Sequence, residues 1–288
     1  MRPRVAVCLV GEPRGIKRCF PSLFKNVIDP LNASVFFSFN RAFNDDEEKI
    51  KLINKNLIFG ELKEKTDLKK TLIPNSLYFK LTEEDFSPRS NWVGIVNGQK
   101  GGICHRHFDF KRMAEIISDK INFFDYFIIT RSDFFYLFPI FDFSILNREE
   151  IIKHEGFDNY SHTGMNWEFI ICHRNKVLEF LNSPFLFMNC ESLQDLIIKG
   201  IKHRPKNNES FQRIISDFYG WKISEMEINS FISADSLSEK TTWGEVEFCN
   251  QTNQFFKYRD MYNQALFNFE KYKKSFNWQK LKNQIKIL

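Results

Sequence analysis

The 288-residue sequence has no run approaching the roughly 20 apolar residues needed to cross a bilayer, so no membrane-spanning helix is expected. Met1-Arg2-Pro3-Arg4 leads straight into a short strand pattern rather than a long apolar stretch, so no secretory leader is expected either. The six cysteines, Cys8, Cys19, Cys104, Cys172, Cys190 and Cys249, contain no C-x-x-C pair, which removes the usual zinc and redox motifs. Cys8 and Cys172 sit inside apolar runs and read as buried thiols, and the expected setting is a reducing cytoplasm. The histidines lack metal-ligand spacing: His105 and His107 would face opposite sides of a strand, or lie about 200° apart on a helix.

Three nucleotide and hydrolase signatures are also missing. No G-K-[ST] follows the first glycine turn, no G-x-G-x-x-G occurs, and there is no G-x-S-x-G elbow. A basic body is absent too. The net charge is +5, but residues 262–288 hold six lysines (271, 273, 274, 280, 282, 286) against the single acid Glu270, leaving the rest near neutral. That distribution argues against nucleic acid as a partner, since a binding body would show a basic face interleaved with stacking aromatics.

What is present is an α/β pattern of ordinary polarity, 43% hydrophobic and 27% charged, with phenylalanine (33 residues) filling much of the core's share. Arg4–Val10 is a continuous apolar run fitting a strand buried on both faces. The turn Gly11-Glu12-Pro13-Arg14-Gly15, a helix from Ile16 to Ile28 and a strand from Ser34 to Phe39 complete a βαβ unit. Asp45–Asn56 reads as a helix, Ser76–Leu81 as a third strand, and Ser87–Gly102 as a loop. Arg106–Asp119 has Phe110, Met113 and Ile117 at helical spacing, and Tyr126–Thr130 is an apolar strand ending abruptly in Arg131-Ser132-Asp133. A strand over Phe169–Cys172 and helices over Arg174–Leu181, Ser192–Lys202, Glu209–Tyr219 and the basic tail follow. The pattern predicts one domain over residues 1–260 with a mostly parallel, Rossmann-like central sheet flanked by helices. Residues 261–288 form a basic amphipathic C-terminal helix, which either packs on the body or touches an anionic membrane peripherally.

In an open α/β sheet, ligands bind beyond the carboxyl ends of the strands. Three such ends carry polar groups: Gly11, Glu12, Arg14 and Gly15; Ser38 and Asn40; and Arg131, Ser132 and Asp133. Arg14 offers a fork of donors for phosphate, or is a solvated arginine on a tight turn. A carboxylate after a buried strand is rigidly placed, so Asp133 is a candidate oxygen ligand for Mg²⁺ or Mn²⁺ bridging two phosphates. Arg131 either assists a departing diphosphate or simply pairs with Asp133. A second cluster holds Asp158, Ser161, His162, Asn166, Trp167 and Glu168. Trp167 is a sugar-stacking platform or a core anchor, and Asp158 or Glu168 is a candidate general base.

The opening V-x-x-x-G-E-P-R-G and the stretch Phe124-Asp125-Tyr126-Phe127-Ile128-Ile129-Thr130-Arg131-Ser132-Asp133 together resemble GT-A-type glycosyltransferases. They are similar in particular to small transferases of bacterial surface-polysaccharide loci and large DNA viruses, in which Y-D-Y-x-I-x-x-R-x-D ends on the metal-binding aspartate. The resemblance implies a GT-A-like fold, a nucleotide-sugar donor, a glycan or lipid-linked acceptor, and Mn²⁺ or Mg²⁺ on Asp133, with Arg131 where a first aspartate often stands. It implies donor binding by Gly11, Glu12, Arg14, Asn40, Lys111 and Arg131. It also implies a base at Glu168, since Gly164-Met165-Asn166-Trp167-Glu168-Phe169 resembles the acceptor-side block, with Asp158 as the other acid. Two rival functions stand beside it: a sugar-phosphate nucleotidyltransferase, and a non-catalytic glycan- or nucleotide-binding protein using Trp92 and Trp167.

Overall fold

The computed structural model of the chain describes residues 2–41, 45–53, 56–64, 95–96, 99–100, 102–140, 148–155, 168–193, 196, 199, 208–237, 245–250 and 252–275. The strands are β1 (Val5–Gly11), β2 (Ser34–Asn40), β3 (Leu57–Lys63), β4 (Ile95–Val96), β5 (Gln99–Lys100), β6 (Tyr126–Thr130) and β7 (Phe134–Tyr136). They continue with β8 (Glu150–His154), β9 (Phe169–His173), β10 (Lys222–Met226), β11 (Ser230–Ala234), β12 (Glu247–Cys249) and β13 (Gln254–Phe256). The main helices are α1 (Ile16–Leu23), α2 (Asp46–Ile50), α3 (Gly102–Ile117), α4 (Arg174–Asn189), α5 (Asn208–Tyr219) and α6 (Arg259–Ser275).

Seven strands form the central sheet in the order β10-β8-β9-β6-β1-β2-β3. Four of its pairings are parallel, while β9 runs antiparallel to both β6 and β8, so the sheet is mixed around one reversed strand. The reason β1 reads as an unbroken apolar run is visible in its side chains. Ala6, Cys8 and Val10 enter a core shared with α3, α4 and α5, whereas Val5, Val7 and Leu9 enter the core on the other face with α1. Phe127 and Ile129 of β6 alternate with Ile128 in the same way. Helices therefore cover both faces of the sheet, and strands buried on both sides need no polar alternation.

A smaller antiparallel sheet, β12-β13-β11-β7, closes over the carboxyl edge of β6. Its β7 begins directly after Asp133, and β11 is fastened there by the Ser233 amide donating to the Asp133 carbonyl at 2.8 Å. The chain from α1 continues through a π-helical turn, Phe24–Ile28, and a last helical piece, Asp29–Leu31. Helix α6 packs Met261, Tyr262 and Ala265 into the core and leaves Phe267 66% exposed, so this part of the tail is a docked helix. Among the described residues no helix is long and apolar enough to cross a membrane.

Several expectations change. The third strand of the sheet is Leu57–Lys63; Ser76–Leu81 lies outside the described residues. Strand β3 is an edge strand of half-exposed residues, broken by Gly60, so it carries no buried run to recognise. Gly60 is required because a Cβ there would stand 1.9 Å from the ring of Phe37. The Asp45–Asn56 helix shortens to Asp46–Ile50 with a 3-10 turn, Lys51–Ile53, and α4 runs eight residues past Leu181 to Asn189 with Pro184 inside it. Of the proposed loop 87–102, the described residues form the β4–β5 ribbon and the start of α3.

His154 of β8 lies 4% exposed, its ring stacked on Phe169 at 4.2 Å with Nε2 3.2 Å from Asn229 Oδ1. Burial, aided by neighbouring Lys153, lowers its pKa to about 3. The folded state thus keeps the imidazole neutral, and the stability this represents is complete above the unfolded value of 6.5 and is lost as pH falls from there toward 3. His173, also lowered by burial, acts in the same direction. Urea unfolding should show stability falling by up to about 1.4 kcal/mol per pH unit per histidine below pH 6. His154→Gln should flatten that slope, and an unchanged slope in the variant would refute the assignment.

Candidate functional site

Strands β1 and β6 are parallel neighbours, and the order reverses between them: β2 and β3 lie on one side of β1, while β9, β8 and β10 lie beyond β6. An α/β sheet usually carries its ligand crevice at such a reversal, beyond the carboxyl ends of the two strands; here the segments that leave them, α1 and β7, pack together, with the Tyr136 amide donating to the Ser22 hydroxyl. The loops that meet there are Gly11–Gly15 after β1 and Arg131–Asp133 after β6. They are stitched by Ser132, whose hydroxyl lies 2.8 Å from the Glu12 carbonyl and 3.0 Å from that of Arg14. Gly15 adopts φ +60°, and a Cβ at that residue would come within 3.1 Å of the Asp133 Cβ, so the turn presses directly on the acid. Gly11 ends β1 opposite Phe39.

The centre of the crevice is an ionic chain. Arg131 grips Asp133 as a fork, with Nε to Oδ1 at 2.7 Å and Nη2 to Oδ2 at 2.6 Å, and its Nη1 donates to Glu168 Oε1 at 2.5 Å. Arg106, in α3, stands 3.6 Å from the same Glu168 oxygen. Lys257 Nζ, just past β13, lies 3.8 Å from Asp133 Oδ2. Arg14 donates to Glu12 through Nε at 2.6 Å and also through Nη2. Glu12, Asp133 and Glu168 thus each face an arginine. Glu168 arrives by topology: β9 runs backwards, so its first residues lie at the edge where β6 ends, with Phe169 opposite Thr130.

Asp133 is only 2% exposed. Burial pushes its pKa up, but the charges of Arg131 and Lys257 and the Arg131 hydrogen bonds outweigh that and hold it down to about 2. Arg131 is raised well above its usual value, burial being outweighed by Asp133 and Glu168, so the pair stays ionised. Cys19 lies beneath the turn, and burial together with Asp133 pushes its thiol up, leaving no thiolate for nucleophilic chemistry.

The divalent cation expected on Asp133 does not fit this donor set. Mg²⁺ and Mn²⁺ take oxygen ligands, yet both oxygens of Asp133 already accept from a guanidinium. Among the described residues no group of three or more His, Cys, Asp or Glu could hold a metal ion.

Of the residues singled out in the sequence, Gly11, Glu12, Arg14, Arg131, Asp133 and Glu168 come together at this edge. Asn40 is 3% exposed, with its amide nitrogen on Asp109 at 2.6 and 2.7 Å and its oxygen accepting from Arg112 at 2.9 Å. In this arrangement Asn40 fastens α3 to the sheet. Lys111 pairs with Glu115 and lies over the rings of Phe108 and Phe185, sharing no partner with the Asp133 chain. Asp158 and Trp167 lie outside the described residues. Arg106 and Lys257 were not foreseen. Arg106 carries a usable signal, a charged residue in the first turns of a helix aimed at the sheet's carboxyl edge, whereas nothing local marks Lys257.

No model of a known protein family matches the chain, and no curated protein does. Among solved structures, the apo form of mouse xyloside xylosyltransferase 1 is similar over 78% of this chain and 85% of its own, at 10% identity and a TM-score of 0.45. The apo-form glycosyltransferase GlyE of Streptococcus pneumoniae TIGR4 is similar over 78% of this chain, at 12% identity and a TM-score of 0.39. The chain spans 46% of the GlyE length. Likenesses at this level bear on neither mechanism nor substrate.

The packing of Gly15 on Asp133 gives a direct test of the site's construction. Gly15→Ala places a side chain at positive φ, costing about 1–2 kcal/mol, and adds the crowding of Asp133. Thermal unfolding should show a loss at least that large. Full stability in the variant would mean that the turn does not bear on the acid.

Proposed function

We propose that the chain is a GT-A-type glycosyltransferase that moves a sugar from a nucleotide-sugar donor to the hydroxyl of a glycan or lipid-linked acceptor. One observation carries the reading: the Gly11–Gly15 turn and the Arg131–Asp133 corner meet, hydrogen-bonded through Ser132, where the strand order of an α/β sheet reverses. The motifs at those two corners are the ones that resemble the family, and the first loop is shorter than the glycine- and lysine-rich loop of a sugar-phosphate nucleotidyltransferase.

The chemistry asks little else of the protein. The bond between the anomeric carbon and the diphosphate oxygen breaks with its electron pair on oxygen, so negative charge gathers on the departing nucleoside diphosphate. Fixed cations near that oxygen lower the barrier without reorganising, and Arg131 and Arg14 are the side chains assigned that charge. The acceptor oxygen bonds to the anomeric carbon and gives up its proton. Glu168, fixed at the head of β9, is the preferred acid to take it, with Asp158 as the second candidate. Phe267, exposed beside Lys271 and Lys274 on α6, suits peripheral contact with an anionic surface on which lipid-linked acceptors lie.

Incubation with a panel of nucleotide-sugars and oligosaccharide acceptors should release a nucleoside diphosphate and elongate an acceptor. Glu168→Gln should lower kcat about 100-fold or more in a folded variant that still binds the donor. Pyrophosphate release from a nucleoside triphosphate and a sugar phosphate, or binding with no release from any donor, would contradict the proposal.

A further inference from the structure

The site's acids and bases are paired in a way that leaves a specific set of donors over. A guanidinium has five N–H groups. Arg131 spends two on Asp133 and one on Glu168, so two remain, and its side chain is 24% exposed. Arg14 spends two on Glu12, so three remain, with its side chain 35% exposed. Asp133, by contrast, is sealed: 2% exposed, with both oxygens occupied and Lys257 at 3.8 Å. Arg131 and Arg14 are thus reachable cations beside the partly exposed Glu12 and Glu168, while the central carboxylate of Asp133 is buried.

Resting on the transferase reading, we propose that the donor's diphosphate is held by Arg131 and Arg14 rather than through a divalent cation, and that Asp133 is a positioning residue that fixes the Arg131 fork. Three features support this division of labour. The fork geometry locks the guanidinium plane, which a flexible arginine could not maintain alone. Lys257, buried and 3.8 Å from Asp133 Oδ2, is a second cation that helps keep the carboxylate in place when phosphate oxygens approach Arg131. The Ser132 hydroxyl ties the backbone of the turn bearing Arg14 to the corner bearing Arg131, so the two cations stem from one fastened unit. Arginine is ionised throughout the accessible pH range and matches phosphate oxygens in pairs, so a metal adds nothing that this site lacks.

Titration calorimetry tests this with inorganic pyrophosphate and with UDP, GDP, ADP and CDP, each in EDTA and in excess Mn²⁺, on the full chain. A nucleoside diphosphate should bind in EDTA with a Kd within about threefold of that in Mn²⁺. Arg131→Lys, which keeps the charge but loses the fork, and Arg14→Gln, at a partly exposed position, should each weaken it at least about tenfold in EDTA. Asp133→Asn should weaken binding by the same factor with and without Mn²⁺, as a positioning role demands. Binding that appears only with Mn²⁺ and vanishes in Asp133→Asn would overturn the proposal and leave the transferase reading standing. Absence of binding by every diphosphate under both conditions would overturn both. Unweakened binding in a folded Arg14→Gln variant would remove Arg14 from the site.

Discussion

The guanidinium of Arg131 is the joint on which the site turns. It holds Asp133 by two hydrogen bonds and Glu168 by a third, so it links the end of β6 to the beginning of β9 across two antiparallel neighbours. Removing one member of so buried a pair leaves the other charge uncompensated, typically at about 3–5 kcal/mol. That cost is large beside the net stability of a domain, so the pair is a fixed part of the fold as well as of the crevice. The smaller sheet is joined to the same residue through its backbone: β7 starts at the residue after Asp133, and the Asp133 carbonyl accepts from the Ser233 amide of β11.

How the polar groups reach one edge follows from the strands. β1 and β6 are apolar along their whole lengths because helices cover both faces, and so polar residues appear only where each strand stops. Parallel pairing of the two puts both stops at the same edge. The reversal of β9 then brings an acid to that edge from a strand's beginning rather than its end. Packing of a hydrophobic sheet thereby fixes a set of charges that would otherwise repel or scatter.

The parts readable from sequence were those with strong local signals. β1, β2, β6 and β9 are short apolar runs, α3 has regular helical spacing, and the two strand-end motifs are contiguous. What escaped was non-local or interrupted. β3 is half exposed and broken by Gly60, whose reason lies in the ring of Phe37 more than twenty residues earlier. The small sheet is built from strands of three to five residues paired across about a hundred residues of sequence, and Lys257 reaches the site at the end of one of them. On α3 a turn of about 100° separates two adjacent cations: Arg112 faces Asn40 and Glu61, while Lys111 faces outward to Glu115. Asn40 shows the same limit, since its partners Asp109 and Arg112 lie about seventy residues away. The Arg131-Ser132-Asp133 triplet was legible as a site, but whether its arginine and aspartate would pair was a question only geometry could answer.

The most direct test of the account is hydrogen–deuterium exchange of the chain with and without a nucleoside diphosphate in EDTA. Ligand in the crevice between β1 and β6 predicts added protection confined to the amides of residues 11–16 and 131–135. Protection that instead falls on β3 and the outer face of α3, with those two corners unchanged, would contradict it.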